Sequence, residues 1–213
     1  MADIFDESYG KEVEIEISDN RVVKGDDVNL KEKDPTLSKV IVALGWQSNQ
    51  FDTEELDLDV SCFLLNKEDK TRVDEDFIFY NNTEALDGGI KHNMDSLTGA
   101  GDGDDETISI DLNAIPYEVK RLMFTLSIYK GEERGQTMGK VKNSYIRLLN
   151  ADNKEEILRY ELNEDVKGQD GAGMYVAAIN REGPKWHFKA VGEFAKGGLA
   201  EIATGYDLII HKS

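Results

Sequence analysis

From Val22 onward, short β-rich runs alternate with turn-forming residues, and this pattern limits the folds open to the chain. Runs rich in Val, Ile, Phe and Tyr and bounded by Gly, Asn or Asp are typical of antiparallel strands. Segments with this pattern, predicted as strands, are 39–44, 58–65, 76–80, 107–112, 122–129, 144–149, 174–179 and 185–191. No alternation of long helices with strands is indicated, so we expect an all-β fold, a β-sandwich of two antiparallel sheets.

A few short helices are expected beside the sheets. The candidates are a turn over 116–121, where Pro116 suits a first turn, and the segment 199–203. The highly charged stretch 1–21 is patterned only at 13–17, whose strict alternation suits an edge strand. We therefore expect an N-terminal extension over 1–21 and a single domain over 22–213.

Charge and composition exclude several classes of partner. The chain has 25 Lys and Arg against 43 Asp and Glu, a formal charge of −18, which argues against binding nucleic acid and limits membrane contact to a peripheral one. Its beginning lacks the basic and apolar regions of a signal peptide, and its single cysteine, Cys62, lies in an apolar run. These features predict a cytoplasmic protein with a buried structural thiol.

The most acidic stretch lies between two predicted strands. Residues 95–106 contain five carboxylates and three glycines and no basic side chain. The carboxylates are those of Asp95, Asp102, Asp104, Asp105 and Glu106. Carboxylate oxygens on a glycine-rich backbone suit Ca²⁺, whereas zinc would call for His or Cys. The loop is therefore predicted to bind calcium, although it does not fit the ligand spacing of an EF-hand.

Two other segments offer oxygen ligands. Asp57 and Asp59 are two residues apart, so an extended strand places both carboxylates on one face. Asn82 follows a strongly apolar run, where its amide suits either a calcium ligand or a turn. Standing alone, an Asp-x-Asp pair is more typical of a solvated strand face, but the second acidic cluster favours a shared metal site.

These motifs, in their order and spacing, resemble the TerD family of tellurium-resistance and stress-response proteins over about 22–202. The matching segments are KG at 24–25, VNL at 28–30, LGW at 44–46, DLD at 57–59, DFIFYNN at 76–82, LTG at 97–99, GDGDDE at 101–106, NSYIR at 143–147 and WHFKAVG at 186–192. Each segment alone is weak, but the combination is specific.

The resemblance implies a calcium-binding β-sandwich with no known enzymatic reaction, holding two Ca²⁺ ions in loops at one end. The residues that it implies as ligands are Asp57, Asp59, Asp102, Asp104, Asp105 and Glu106, with Asp95 and Asn82 as further candidates. It also implies a role in tellurium resistance and stress response through a protein partner. Other products of tellurium-resistance operons are candidates for that partner.

The chain departs from the family pattern at several places, including the segment at 93–99 and the N-terminal extension, and two of the departures bear on binding. Gln47 stands where the family commonly has an aspartate, so one carboxylate is lost. The segment 171–181 also differs from the usual family sequence, which predicts a different partner at this surface.

Two other functions fit parts of the sequence. A hydrolase would use Asp57 and Asp105 as an acid and base pair on a glycosidic bond, and its activity would survive chelation. A sensor of cyclic nucleotides or similar small molecules would need a cation for the phosphate, for which Arg147 is the candidate.

Overall fold

The computed structural model describes residues 20–47, 56–94 and 103–208. The strands are β1 (Arg21–Val22), β2 (Asp27–Asn29), β3 (Lys39–Gln47), β4 (Leu58–Leu65), β5 (Phe77–Ile78), β6 (Glu84–Ala85), β7 (Ile90–Met94), β8 (Glu106–Asp111), β9 (Arg121–Ile128), β10 (Lys142–Asn150), β11 (Glu156–Glu161), β12 (Gly173–Glu182) and β13 (Lys185–Ala195). The helices are α1 (Leu30–Lys33), α2 (Gly131–Arg134), α3 (Asn163–Val166) and α4 (Gly198–Gly205), with 3₁₀ turns at Asp74–Asp76, Leu86–Gly88 and Met138–Lys140.

The strands form two sheets that face each other across a hydrophobic core. The seven-stranded sheet has the order β1-β11-β10-β3-β8-β7-β6, and the six-stranded sheet has the order β2-β13-β12-β9-β4-β5. Neighbouring strands are antiparallel apart from β1, which pairs with β11 in parallel. The predicted β-sandwich of two antiparallel sheets is therefore confirmed.

The core is formed by apolar side chains at every second position of the strands, which point toward the facing sheet. In β8 the side chains of Ile108 and Ile110 are buried while the residues between them are half-buried, as expected for a strand with one face on the core. β4 is almost wholly buried because its outer face is also covered, by a second apolar cluster in which Phe63 packs with Phe77 and Tyr206 and which includes Ile202 of α4. This double burial explains the continuous apolar run of β4 and the buried position of Cys62.

Seven of the eight predicted strands occur with bounds within a few residues of those expected, and α4 confirms the helical segment at 199–203. The stretch 116–121 forms only a turn, closed by the Val119 N–H donating to the Pro116 carbonyl at 3.1 Å. The predicted edge strand at 13–17 lies outside the described residues.

The predicted strand at 76–80 is the main error in the assignment, because only Phe77 and Ile78 pair as β5. Asp76 ends a 3₁₀ turn instead, and its buried carboxylate accepts hydrogen bonds from the Arg72 backbone N–H and guanidinium. A tight turn, in which Phe79 and Asn82 exchange backbone hydrogen bonds, stops the strand on the other side.

Two strands of five or six residues, β7 and β11, were not predicted from the sequence. Both mix charged residues among few apolar ones, so neither stands out as an apolar run. Among the described residues, no helix is long and apolar enough to cross a membrane.

Candidate metal centre

The predicted site begins at the unpaired edge of β4. β5 pairs with β4 only at Cys62 and Phe63, so the backbone of Val60 lies beyond the end of that pairing. The facing sheet supplies its partners: the Val60 N–H donates to Glu106 Oε2 at 2.6 Å, and His92 Nε2 lies 3.1 Å from the Val60 carbonyl oxygen. Glu106 and His92 are both buried, so a carboxylate and an imidazole join the sheets at this corner.

His92 contacts the candidate site and was not predicted from the sequence. Its Nε2 bears a proton, since a carbonyl oxygen can only accept, and the same nitrogen lies 3.5 Å from Glu106 Oε2. The spacing of residues along the chain does not indicate a role for His92, because His92 belongs to β7, a mostly polar strand that was not predicted. The pairing of β7 with β8, in which Met94 faces Glu106, brings it to the site.

Asp59 lies beside this pair. The pKa of Asp59 is raised to about 7, mainly by burial and then by the negative charges of Glu106 and Asp57, while His92 lowers it by a smaller amount. Burial also raises the pKa of Asp57, against the opposing charge of Arg134. The structure thus places Asp57 and Glu106 close enough to Asp59 for their charges to act on it. Among the described residues, however, the only three potential ligands whose donor atoms lie within 4.8 Å of one another are Asp27, Glu182 and His187.

A cavity of about 180 Å³ opens against Asp59. Tyr80 and Tyr129 line it, with their rings edge to face at 6.2 Å between centroids, and Gly197 and Gly198 lie across from them. The pKa of Tyr80 is raised by burial and then by the charges of Asp59, Tyr129 and Asp57. Asp59 therefore borders a space that an ion or small ligand can enter.

The three successive acidic residues at the end of the loop have three different sets of partners. Asp104 accepts hydrogen bonds from Arg147 on the outer face of the seven-stranded sheet. Asp105 is buried, and its Oδ2 accepts from the Trp46 N–H at 2.8 Å. Glu106 points between the sheets to Val60. The carboxylates that sequence reasoning grouped as one ligand run thus diverge.

The remaining predicted ligands are Asn82, Asp95 and Asp102. The side-chain amide of Asn82 donates to the Phe77 carbonyl at 2.7 Å and so closes the turn after β5. This arrangement matches the turn alternative considered for Asn82. Asp95 and Asp102 lie outside the described residues.

The donors that are described fit a hard cation such as Ca²⁺. Asp57, Asp59, Asp105 and Glu106 offer only oxygen, and the one nearby imidazole nitrogen is turned to a backbone carbonyl. Calcium takes six to eight oxygen ligands in a flexible shell, and it would relieve the repulsion that raises the pKa of Asp59. Within the described residues, the donor set therefore agrees with the oxygen chemistry predicted for the loop.

The raised pKa of Asp59 predicts how the stability of chelator-treated protein depends on pH. The folded state retains the Asp59 proton up to about pH 7, while the unfolded chain releases it near 3.8, so the free energy of unfolding falls as pH rises between these values. We expect the melting temperature in chelator to fall by a few degrees between pH 5.5 and pH 8. Asp59→Asn should show a smaller fall in the same melts, and an equal fall would contradict the assignment.

The fold and this donor set can be compared with known proteins. The family model described as the TerD domain matches residues 20–206 of the chain. The chain belongs to the TerD family. Among TerD-family relatives, it is 41% identical over 185 residues to the tellurium resistance protein TerD of Serratia marcescens, covering 87% of this chain and 95% of that protein.

A second TerD-family relative is named for stress rather than tellurium. General stress protein 16U of Bacillus subtilis is 40% identical over 188 residues, covering 88% of this chain and 96% of that protein. The names of these relatives place the chain in a family of tellurium-resistance and stress-response proteins.

Solved structures of this family share the fold. A Streptomyces coelicolor homologue of the telluride resistance protein TerD superposes with a TM-score of 0.65 at 18% identity, covering 82% of this chain and 99% of that one. At this identity the likeness supports the β-sandwich and its topology alone.

Proposed function

We propose that this TerD-family protein is a non-enzymatic calcium-binding protein in which bound Ca²⁺ organises the acidic end of the sandwich for a protein partner. The observation that supports this most directly is the electrostatic repulsion of Asp59 by Asp57 and Glu106, which together with burial raises the pKa of Asp59 to about 7. Such repulsion costs free energy in the metal-free protein, and a divalent cation removes the cost.

The geometry also explains how binding could organise a surface. Glu106 is the first residue of β8 and Asp105 precedes it, while Asp59 belongs to β4 in the other sheet and Asp57 precedes that strand. An ion held by both sets would join the two sheets at the end of the sandwich. Asp95 and Asp102, from the loop between β7 and β8, would enlarge the set enough for the two ions that the family resemblance implies.

A hydrolase is the second candidate, because one observation favours it. A carboxyl with a pKa of about 7 beside a cavity could act as a general acid near neutral pH. The residue with this property is Asp59, whereas the pair expected for such an enzyme was Asp57 and Asp105. Neighbouring negative charge contributes to the raised pKa, and a bound cation would cancel that part, so we favour the metal site.

The sensor alternative is weakened by the surroundings of Arg147. Its Nε and Nη2 donate to Asp104 at 2.8 and 2.7 Å, and its Nη1 donates to Glu156 at 3.1 Å. A phosphate at this guanidinium would have to displace two carboxylates and then lie against them. The arrangement favours a structural ion-pair network over an anion site.

A calorimetric titration of chelator-treated protein tests the proposed function. We expect saturable Ca²⁺ binding by two ions per chain and weak or absent binding of Mg²⁺, because Mg²⁺ demands octahedral geometry and retains its water ligands. Asp57→Asn should weaken binding at least about tenfold, since it removes one charged oxygen donor.

Asp111→Asn is the matched control, because Asp111 lies at the other end of β8 from the site. Equal losses from the two variants would indicate diffuse attraction to a protein of charge −18 instead of coordination. Hydrolysis that persists in chelator would support the enzyme alternative.

A further inference from the structure

Asp104 is held away from the other acidic residues by a clamp on the outer face of the seven-stranded sheet. Arg147 donates to both of its oxygens, from Nε to Oδ1 at 2.8 Å and from Nη2 to Oδ2 at 2.7 Å. The Tyr145 hydroxyl donates to Oδ1 at 3.0 Å. The exposed fraction of the Asp104 side chain is only 16%, so the three hydrogen bonds are partly shielded from water.

The clamp is itself held in place by its neighbours. Glu156 accepts from the third nitrogen of Arg147, and the Arg159 guanidinium lies 3.7 Å from the centroid of the Tyr145 ring. The ring lies across Gly45, where a Cβ atom would come within 2.4 Å of it. Both side chains are therefore positioned by β3 and β11.

This grip leaves Asp104 poorly suited to bind an ion. A carboxylate offers about four acceptor positions, and the guanidinium fork and the tyrosine hydroxyl occupy three of them. A cation on the remaining position would also face the positive charge of Arg147. The structure gives Asp104 the contacts of an anchor.

What the anchor holds is the start of β8. The Asp105 N–H donates to the Leu44 carbonyl at 2.8 Å, and the Asp105 carboxylate accepts from the Trp46 N–H. Glu106 is the next residue and reaches the other sheet. A change in the position of Asp104 must therefore displace the two buried carboxylates that follow it.

We propose that Arg147 and Tyr145 are positioning residues for the calcium site, and that Asp104 is their anchor point and not a calcium ligand. The clamp holds the chain at Asp104 so that Glu106, two residues further on, reaches the other sheet with its carboxylate already placed. This inference rests on the proposed calcium function. Outer-shell contacts of this kind typically change metal affinity by about 10- to 100-fold.

The direction of the effect separates positioning from simple electrostatics. Arg147→Gln removes a positive charge near the site, so electrostatics alone would strengthen Ca²⁺ binding. The clamp model expects the opposite, a loss of about 10- to 100-fold in affinity by calorimetry. Tyr145→Phe, which deletes one hydrogen bond and keeps the ring, should show a smaller loss. Unchanged or stronger binding by Arg147→Gln would overturn the proposal.

A double-mutant cycle decides whether Asp104 acts through the clamp or as a ligand. If it acts through Arg147, the variant combining Asp104→Asn with Arg147→Gln should bind Ca²⁺ within about threefold of the weaker single variant. If Asp104 is a ligand, its loss should add in full to that of Arg147→Gln, which would refute the anchor role. In chelator, the melting temperatures of all variants should lie within a few degrees of the wild-type value. A general structural role for the clamp would lower the melting temperatures by more than that.

Arg121→Gln is the matched control, because Arg121 pairs with Asp69 at 2.8 Å at the opposite end of the sandwich. It should bind Ca²⁺ within about twofold of wild type, as expected for an exposed ion pair far from the site. If wild type and this control bind the ion and Arg147→Gln binds it equally well, the clamp proposal alone fails. If wild type binds no Ca²⁺, the proposed function fails, and the clamp proposal fails with it.

Discussion

Calcium should raise the melting temperature of chelator-treated protein by about 5 to 10 °C when it is added at about a hundred times its dissociation constant. A single site at that concentration stabilises the folded state by about 2.7 kcal/mol, and each kcal/mol shifts the midpoint of a chain of this size by about 2 to 4 °C. The gain arises because the ion relieves the repulsion among Asp57, Asp59 and Glu106 only when the chain is folded.

Mg²⁺ at the same concentration is the control for this melt, and it should shift the midpoint by no more than about 2 °C, because its preferred octahedral shell retains water. A second control is a monovalent salt at matched ionic strength, since salt alone screens a chain of charge −18. Equal shifts with both ions would indicate screening, and no shift with either would count against the calcium site.

Glu106→Gln should separate calcium binding from folding more cleanly than any other single substitution. The Val60 N–H donates to Glu106 Oε2 at 2.6 Å, and the amide oxygen of glutamine can accept the same hydrogen bond. The variant should therefore fold and yet lose Ca²⁺ affinity by about 100-fold or more, because it lacks a charged donor at the centre of the site.

The same variant should melt at or above the wild-type temperature in chelator. The charge of Glu106 is one of the causes that raise the pKa of Asp59, so removing it relieves repulsion in the metal-free protein. Calorimetry and thermal melts measure the two effects side by side. Glu84→Gln, an exposed substitution on β6, is the control and should change neither. Wild-type affinity in Glu106→Gln would exclude Glu106 from the site.

Sequence reasoning was most accurate where local chemistry decides the structure. Strand β4 could be predicted to the residue, because its apolar run is dictated by burial on both faces. Strand β7 could not, since it is held by backbone pairing with β8 and contains mostly polar residues. Because β7 was not predicted, His92 was not placed at the site. Its contact with Val60 joins two strands from different sheets.

The sequence by itself determined the fold class and the family, because periodicity and residue type are local properties. Only the tertiary structure decided which partner each acidic residue meets. Asp104, Asp105 and Glu106 are consecutive, but their partners Arg147, Trp46 and Val60 are 43, 59 and 46 residues away. Pairing of distant strands, and not spacing along the chain, sets those contacts.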